Sequence, residues 1–288
     1  MNKLLLSFIN IFGYFFGKVL NFIDLIFRKK VSLFLKLAIN NYLNLTIKNE
    51  GIFFDATEKN NYYRGRDLMI REPDTLYWIR EFMKPDEIFY DIGANIGTYS
   101  LYAAKKKNLN VIAIEPESSS YYYLNKNIFL NNLDNKITAL NIALNDKDKL
   151  SYLRLIKFEV AGTEINFDEK LDHKRREFKP IFNQGVFGYS MDSLVEKYGL
   201  PTPNHIKIDV GGDDLKIFNG MQKILKSNEI KTVMIELDVE TPERYGIIEK
   251  MNNLNFKLIT DNPKLRNSEY EKTKIFNHFF IKNDTNSK

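Results

Sequence analysis

The stretch from Ile88 to Pro116 constrains this chain most. An apolar strand, Ile88-Phe-Tyr-Asp91, runs into a turn, Gly93-Ala94-Asn95-Ile96-Gly97, that opens a helix. A second apolar strand, Val111-Ile-Ala-Ile114, ends in Glu115 and Pro116. A strand–helix–strand unit of this kind builds a ligand crevice at the carboxyl ends of its strands.

Downstream, helical and strand patterns alternate. Glu117–Asn131 reads as a helix with Tyr121, Leu124, Ile128 and Asn131 near one face, and Lys136–Leu144 as a strand. Leu150–Phe158 reads as a strand paired nearby, and Ser190–Tyr198 as a helix started by Ser190 or Asp192. Then come a strand at Ile206–Val210, a helix at Asp214–Lys226, a strand at Thr232–Leu237 and a helix at Pro242–Asn253. Phe256–Thr260 and His278–Ile281 close the pattern as strands joined by a polar loop. The expected fold is α/β: a Rossmann-like, mostly parallel seven-stranded sheet with an antiparallel edge hairpin and helices on both faces. Before it, Gly51–Phe54 reads as a strand, and Pro73-Asp74 starts a helix through Trp78, Ile79 and Phe82, with Asp74 as its cap.

Residues 1–40 differ in character. Leu4–Phe27 is mostly Leu, Ile, Phe and Val, interrupted by Lys18 and Asp24 and followed by Arg28-Lys29-Lys30. The two charges argue against a spanning helix, and no small-residue cleavage site marks a signal peptide. Two readings stay open: a helical cap on the domain or on a second copy in a homodimer, and an amphipathic element on a membrane surface. The expected organisation is an N-terminal helical appendage over 1–50, a catalytic-type domain over 51–282 and a frayed tail over 283–288. The chain is expected in the cytoplasm, with peripheral contact on the inner membrane face through residues 1–40 under the second reading.

With no Cys among 288 residues, disulfides, thiolate metal sites and Cys nucleophiles are excluded. The 42 basic and 37 acidic residues are dispersed, which gives no footprint for nucleic acid. His173, His205 and His278 are isolated in sequence.

A dinucleotide site would place glycines at positions 95 and 98 after Gly93. Those positions hold Asn95 and Thr98, so the close pyrophosphate cradle is lacking. Asp91 sets a carboxylate at one strand end, suited to a cationic or amine-bearing ligand. Glu115 sets another at the next strand end, where a carboxylate can accept both ribose hydroxyls. A nucleoside bearing a positive charge and no phosphate fits, and S-adenosyl-L-methionine is such a ligand.

Several motifs carry a resemblance. Asp91-Ile-Gly-Ala-Asn-Ile-Gly97, Glu115-Pro116, Asn127-Ile-Phe-Leu-Asn131, Ser190-Met-Asp-Ser-Leu194 and Ile206-Lys-Ile-Asp-Val-Gly-Gly212 resemble the FkbM-type methyltransferases, in the family's order. The resemblance runs from about Asp86 to Leu237. It implies a class I methyltransferase fold and, for most members, methylation of hydroxyl oxygens on polyketides, glycans or glycolipids. It assigns Asp91, Gly93, Asn95 and Gly97 to the methionine half of the cofactor and Glu115 to the ribose, with Ala94 and Pro116 as further cofactor-binding residues. One departure falls near the chemistry. The family pattern Asp-Val-Glu-Gly-Ala-Glu reads here Asp209-Val-Gly211-Gly-Asp213-Asp214.

The expected acceptor is a small-molecule, glycan or lipid-linked hydroxyl. Asp209 is the first candidate to take or orient its proton, and Asp213 the second. Lys207 shares strand parity with Asp209 and is expected to pair with it, which would lower the carboxyl pKa. Asp213 and Asp214 also read as helix-start carboxylates, and no metal site is expected. Lys157–Tyr189 lacks clear periodicity and carries Phe158, Phe167, Phe178, Phe182, Phe187 and Tyr189; it is expected to be either an irregular lid shaping the acceptor site or a surface excursion packed on the domain or at a dimer interface. Asn127 and Asn131 are expected at a helix-to-strand corner. The alternatives to a working O-methyltransferase are a non-catalytic S-adenosylmethionine-binding relative and a membrane-surface binding protein.

Overall fold

The computed structural model describes residues 3–27, 31–42, 46–162, 165–170, 176–238, 240–259 and 275–283. It divides into two compact units, Met1–Thr46 and Ile47–Lys288. In the first unit, α1 (Lys3–Phe27) and α2 (Val31–Tyr42) follow one another, and the Asp24 carboxylate accepts from the Ser32 backbone N–H at 3.2 Å and from the Ser32 hydroxyl. The apolar side chains of α1 are largely exposed, including Phe12, Phe15 and Phe22, as is Phe34 of α2. Ser7–Ile26, with a mean hydropathy of 1.4, is long and apolar enough to cross a membrane by length and composition.

The second unit opens with a two-stranded sheet, β1 (Thr46–Asn49) and β2 (Ile52–Asp55). Three helices follow: α3 (Lys59–Arg66), α4 (Leu68–Arg71) and α5 (Pro73–Phe82). The start of α5 departs from expectation. Glu72 is the capping residue, while Asp74 is buried inside the first turn and accepts from Asn277 Nδ2 at 2.9 Å.

The strand–helix–strand unit forms as expected: β3 (Ile88–Ile92), α6 (Thr98–Lys107) and β4 (Asn110–Ile114). Next come α7 (Ser118–Asn131), β5 (Ile137–Leu140), β6 (Ala143–Leu144), β7 (Lys149–Leu155), β8 (Ile165–Phe167) and β9 (Phe182–Tyr189). The chain ends with α8 (Met191–Tyr198), β10 (His205–Ile208), α9 (Asp214–Asn219), α10 (Gln222–Lys226), β11 (Thr232–Asp238), α11 (Pro242–Asn253), β12 (Phe256–Leu258) and β13 (Ile275–Lys282). Seven strands order as β12-β13-β11-β10-β3-β4-β5. The five from β11 to β5 are parallel, and β13 runs antiparallel to both β11 and β12. The polar loop expected between the last two strands falls largely at 260–274, outside the described residues.

Alternation along the strands splits the core between the two faces. Phe89, Val111, Ala113, Met234 and Phe279 pack with Trp78, Leu101 and Leu124 of the helices on one face. Tyr90, Ile92, Ile114, Ile208 and Ile235 pack with Leu194, Phe218 and Ile247 on the other. On the first face, Trp78 sits edge-on to Phe89, Phe279 and His205 and donates to Thr232 Oγ1 at 2.9 Å.

Four local expectations are corrected. Lys136–Leu144 is two strands in two sheets, because Asn141 leaves the ladder to donate to the carbonyls of Glu115 and Pro116 at 2.8 and 3.0 Å. Asp214–Lys226 breaks into α9 and α10 at Gly220, where a Cβ would lie 2.1 Å from the Asn145 carbonyl oxygen. Asn127 and Asn131 do not hold a helix-to-strand corner. Their amides bond the backbone of β2 at Asp55 and Phe53, and Asn127 also donates to the Ile96 carbonyl in the glycine turn. Finally, Lys157–Tyr189 is not wholly irregular. It contributes β8 and β9 to a second sheet ordered β6-β9-β7-β8.

Candidate functional site

A cavity of about 260 Å³ opens at the carboxyl ends of β3, β4 and β10. Its wall includes Gly93, Ala94, Asn95, Glu115 and Pro116 from the first two strands, and Lys207, Asp209, Gly211 and Asp213 from the third. The turn after β3 is fixed by backbone. The amides of Gly93 and Ala94 both donate to the Ile114 carbonyl, at 2.9 and 3.0 Å. Gly93 holds φ +79°, and a Cβ there would lie 1.9 Å from the Asp209 carbonyl oxygen. Asn95, also left-handed at φ 54°, bends the chain so that its N–H meets Glu115 Oε2 at 2.8 Å. Gly97 begins α6 and is packed on Leu124, which a Cβ would approach to 2.5 Å.

Glu115 is therefore oriented from two sides, since its Oε1 accepts from the Glu117 N–H at 2.8 Å. It is only 6% exposed, and burial pushes its carboxyl up to about 7 despite the two backbone donors. Ile92, Ile114, Ala143 and Leu144 supply an apolar wall beside it. If the cofactor's adenosine lies in this half of the cavity, Glu115 would hold its ribose and the apolar wall its base.

Asp91 and Gly97 do not line the cavity. Asp91 is 1% exposed, takes a 2.5 Å hydrogen bond from Ser100 Oγ, and leaves Oδ1 without a hydrogen-bond partner. Burial raises its pKa. In the parallel register it stands opposite Lys207, so the acid and the base share one face of the sheet.

Lys207 is 1% exposed and donates to Asp209 Oδ2 at 2.6 Å, with Glu72 Oε2 at 4.0 Å and the Tyr99 ring centroid at 5.1 Å. Burial alone would raise the Asp209 pKa. The Lys207 charge, its hydrogen bond and one from Glu236 outweigh that and hold Asp209 below the usual range. Burial and the nearby Asp209 charge push Glu236 well above its ordinary value. Asp213 lies at the cavity edge, but its Oδ2 accepts from the Phe167 N–H at 3.1 Å and its Oδ1 is 3.3 Å from Lys216 Nζ. It ties the start of α9 to β8. Asp214 lies off the cavity wall, and burial with the neighbouring Asp209 and Asp213 pushes it up to about 8. Gly211 lines the cavity at φ 73°, and Gly212 follows at φ 126°. The backbone after β10 is thus left-handed at two successive positions, a path on which side chains other than glycine are strained.

Four charged residues of this site escaped the sequence reading: Arg64, Arg71, Glu72 and Glu236. A signal for Glu236 exists. An acid stands near the carboxyl end of each of β3, β4, β10 and β11: Asp91, Glu115, Asp209 and Glu236. Arg64, Arg71 and Glu72 lie on helices ahead of the sheet and carry no comparable mark. Of the aromatic residues in Lys157–Tyr189, Phe167 alone lines the cavity. Phe158, Phe182 and Phe187 are exposed, and Tyr189 pairs with Tyr198. The insertion nonetheless supports the cofactor turn, because Gln184 of β9 donates to the Pro116 carbonyl at 2.7 Å and accepts from the Ser118 N–H at 3.0 Å.

The chain matches a known family. Residues 91–258, more than half of the chain, match the Methyltransferase FkbM domain. The hexuronic acid methyltransferase AglP of Haloferax volcanii is 26% identical over 216 residues, covering 75% of this chain and 81% of its own length. The tRNA (guanine(37)-N(1))-methyltransferase of Paramecium tetraurelia is 24% identical over 252 residues, covering 81% of this chain and 58% of its own length. Among solved structures, M. jannaschii TYW2 in complex with AdoMet aligns with a TM-score of 0.39 and 12% identity, over 83% of this chain and 86% of its own.

Proposed function

The chain belongs to the FkbM methyltransferase family and uses S-adenosylmethionine, and on that premise we propose that it methylates an oxygen of a glycan-type acceptor. The observation that carries the reading is the placement of Asp209. Its carboxylate lines the cavity, and its own carbonyl is packed against the α-carbon of Gly93 in the turn assigned to the methionine half of the cofactor. Transfer from a sulfonium to a hydroxyl needs donor and acceptor nearly collinear and in close contact. A carboxylate fixed beside the donor turn suits that demand. When bound, the cofactor supplies the methyl group. The protein supplies a hydrogen-bond acceptor for the attacking hydroxyl.

Lys207 defines how Asp209 acts. By holding the carboxylate ionised, it makes Asp209 a strong orienting acceptor and a weak proton store. Asp213, engaged with Phe167 and Lys216, acts as a structural tie. The name of the Haloferax relative supports a sugar acceptor, at a distance of 26% identity. The test is transfer of labelled methyl from S-adenosylmethionine to pooled glycan and glycolipid extracts, for the wild type and Asp209→Asn. Unchanged turnover in the variant would remove Asp209 from the chemistry. No transfer by the wild type, with cofactor still bound, would favour the non-catalytic alternative.

A second reading concerns the first unit. We infer that α1 engages lipid at the cytoplasmic face of a membrane. The support is the breadth of exposed Phe, Ile and Leu along it and the Arg28-Lys29-Lys30 cluster that follows. Flotation with anionic liposomes, with and without residues 1–40, tests it; equal flotation would sink it.

A further inference from the structure

Three cations line the cavity among the described residues: Arg64, Arg71 and Lys207. Lys207 is engaged deep in the wall with Asp209 and has almost no exposed surface. An anionic group on a ligand must therefore be met by the two arginines. Arg64 is half-buried on α3, and its guanidinium donates from Nη2 to the Ala161 carbonyl at 3.0 Å. That bond orients the fork and leaves its other donors to the cavity. Burial lowers its pKa and the nearby Arg71 charge lowers it further, while Asp209, Tyr99 and Glu72 act in the opposite sense. Arg64 also contributes to the field at Glu115. It is thus placed between the ribose end and the reacting end of the cavity. Arg71 is exposed on α4 and lies on the same cavity wall.

We propose that Arg64, assisted by Arg71, forms a carboxylate-binding site in this cavity. A planar guanidinium presents paired N–H donors that match a carboxylate, and like-charged neighbours gain most from an anion between them. Two sources share this chemistry: the α-carboxylate of the cofactor, and an acidic sugar acceptor. The site lies outside residues 91–258, so the match to the family does not supply it. It rests on the methyltransferase reading for its ligands.

The experiment measures binding by calorimetry for wild type, Arg64→Gln, Arg64→Lys and Arg71→Gln. The first pair of probes is S-adenosylhomocysteine and its decarboxylated analogue. The second pair, added to protein saturated with S-adenosylhomocysteine, is a glucuronate-containing oligosaccharide and its carboxyl-reduced counterpart. If the cofactor is the source, Arg64→Gln weakens S-adenosylhomocysteine about tenfold or more and leaves the decarboxylated analogue unchanged. If the acceptor is the source, the same loss appears for the acidic sugar and not for the reduced one. Arg64→Lys should restore part of either loss. Arg64→Gln also removes the bond to Ala161, and a structural effect of that change would weaken both members of a pair equally. Equal weakening, or no weakening, in both pairs overturns the site while leaving the cofactor assignment intact. A wild type that binds no S-adenosylhomocysteine overturns both.

Discussion

A Cβ on Gly93 would stand 1.9 Å from the carbonyl oxygen of Asp209. The turn after β3 and the backbone just past β10 are thus in direct contact, with no side chain between them. Asp209 is further tied to the end of β3 by its N–H, which donates to the Ile92 carbonyl at 3.1 Å. Gly93→Ala must both strain a φ of +79° and separate the two elements. Backbone strain and overpacking together should cost about 2–5 kcal/mol. The measurements are urea unfolding and cofactor binding; a variant that binds and unfolds like wild type would contradict the contact.

The Lys207–Asp209 pair predicts an asymmetric loss. Lys207→Met leaves a carboxylate without its cation and should cost about 3–5 kcal/mol, since breaking one side of a buried pair is costly. Asp209, released from the Lys207 charge, should titrate higher. The pH–rate profile of Lys207→Met should accordingly shift its acidic limb to higher pH, whereas Asp209→Asn should lower turnover across the whole range.

Glu115 supplies a pH dependence of the opposite kind. Its carboxyl is pushed up to about 7, chiefly by burial, and ribose hydroxyls are accepted best by the ionised form. Cofactor affinity should rise about tenfold from pH 6 to pH 8 and level off above. The sign for folding is reversed: the raised pKa makes the free protein lose stability as pH climbs from the unfolded value through 7. Glu115→Gln should flatten the binding profile, and an unchanged profile in that variant would refute the assignment.

At the far end of β10 a structural cluster should govern acid stability. His205 Nε2 and Nδ1 contact Glu87 Oε2 and Thr232 Oγ1, each at 2.7 Å, and Lys231 pairs with Glu87. Burial would raise the Glu87 pKa, but the bonds from Lys231, the Lys84 N–H and His205 hold it down at about 2. A depressed carboxyl contributes stability above its unfolded pKa and loses it as pH falls from about 4.5 toward 2. Glu87→Gln should be less stable than wild type by about 1–3 kcal/mol at pH 7 and converge with it near pH 2. Thermal melts at both pH values check this, with methyl transfer unchanged when both proteins are folded.

The cavity should also release protons when it fills. Burial raises the pKa values of Glu72 and Glu236, which line the cavity, and of Asp91 behind its wall, so binding of a cationic ligand should favour their ionised forms. Calorimetry of S-adenosylmethionine binding in buffers of different ionisation enthalpy should give buffer-dependent heats. Identical heats would show that the acids do not respond to the ligand.

The sheet was legible because its signals are local. Each parallel strand is a short apolar run, and acids near the carboxyl ends of β3, β4 and β10 mark the crevice. Asp91, Glu115 and Asp209 could be placed on one edge from strand direction alone, and the Lys207–Asp209 pair followed from period-two parity. What was not legible depends on long-range packing. Asp91 reads like a ligand contact, yet the side-chain alternation turns it to the buried face beside Lys207. Strand β9 was hidden because it carries Gly185 and Gly188 and buries little beyond Val186 and Gly188 itself, whose missing side chain admits the Phe167 ring. Arg64 and Arg71 enter through helices with no motif of their own.

The surplus of carboxyl groups around Lys207 has a thermodynamic meaning. Methyl transfer turns a cationic donor into an uncharged thioether. A cavity that gathers acids around one lysine should hold the sulfonium form more firmly than the thioether, and S-adenosylhomocysteine should accordingly bind more weakly than S-adenosylmethionine in a direct calorimetric comparison.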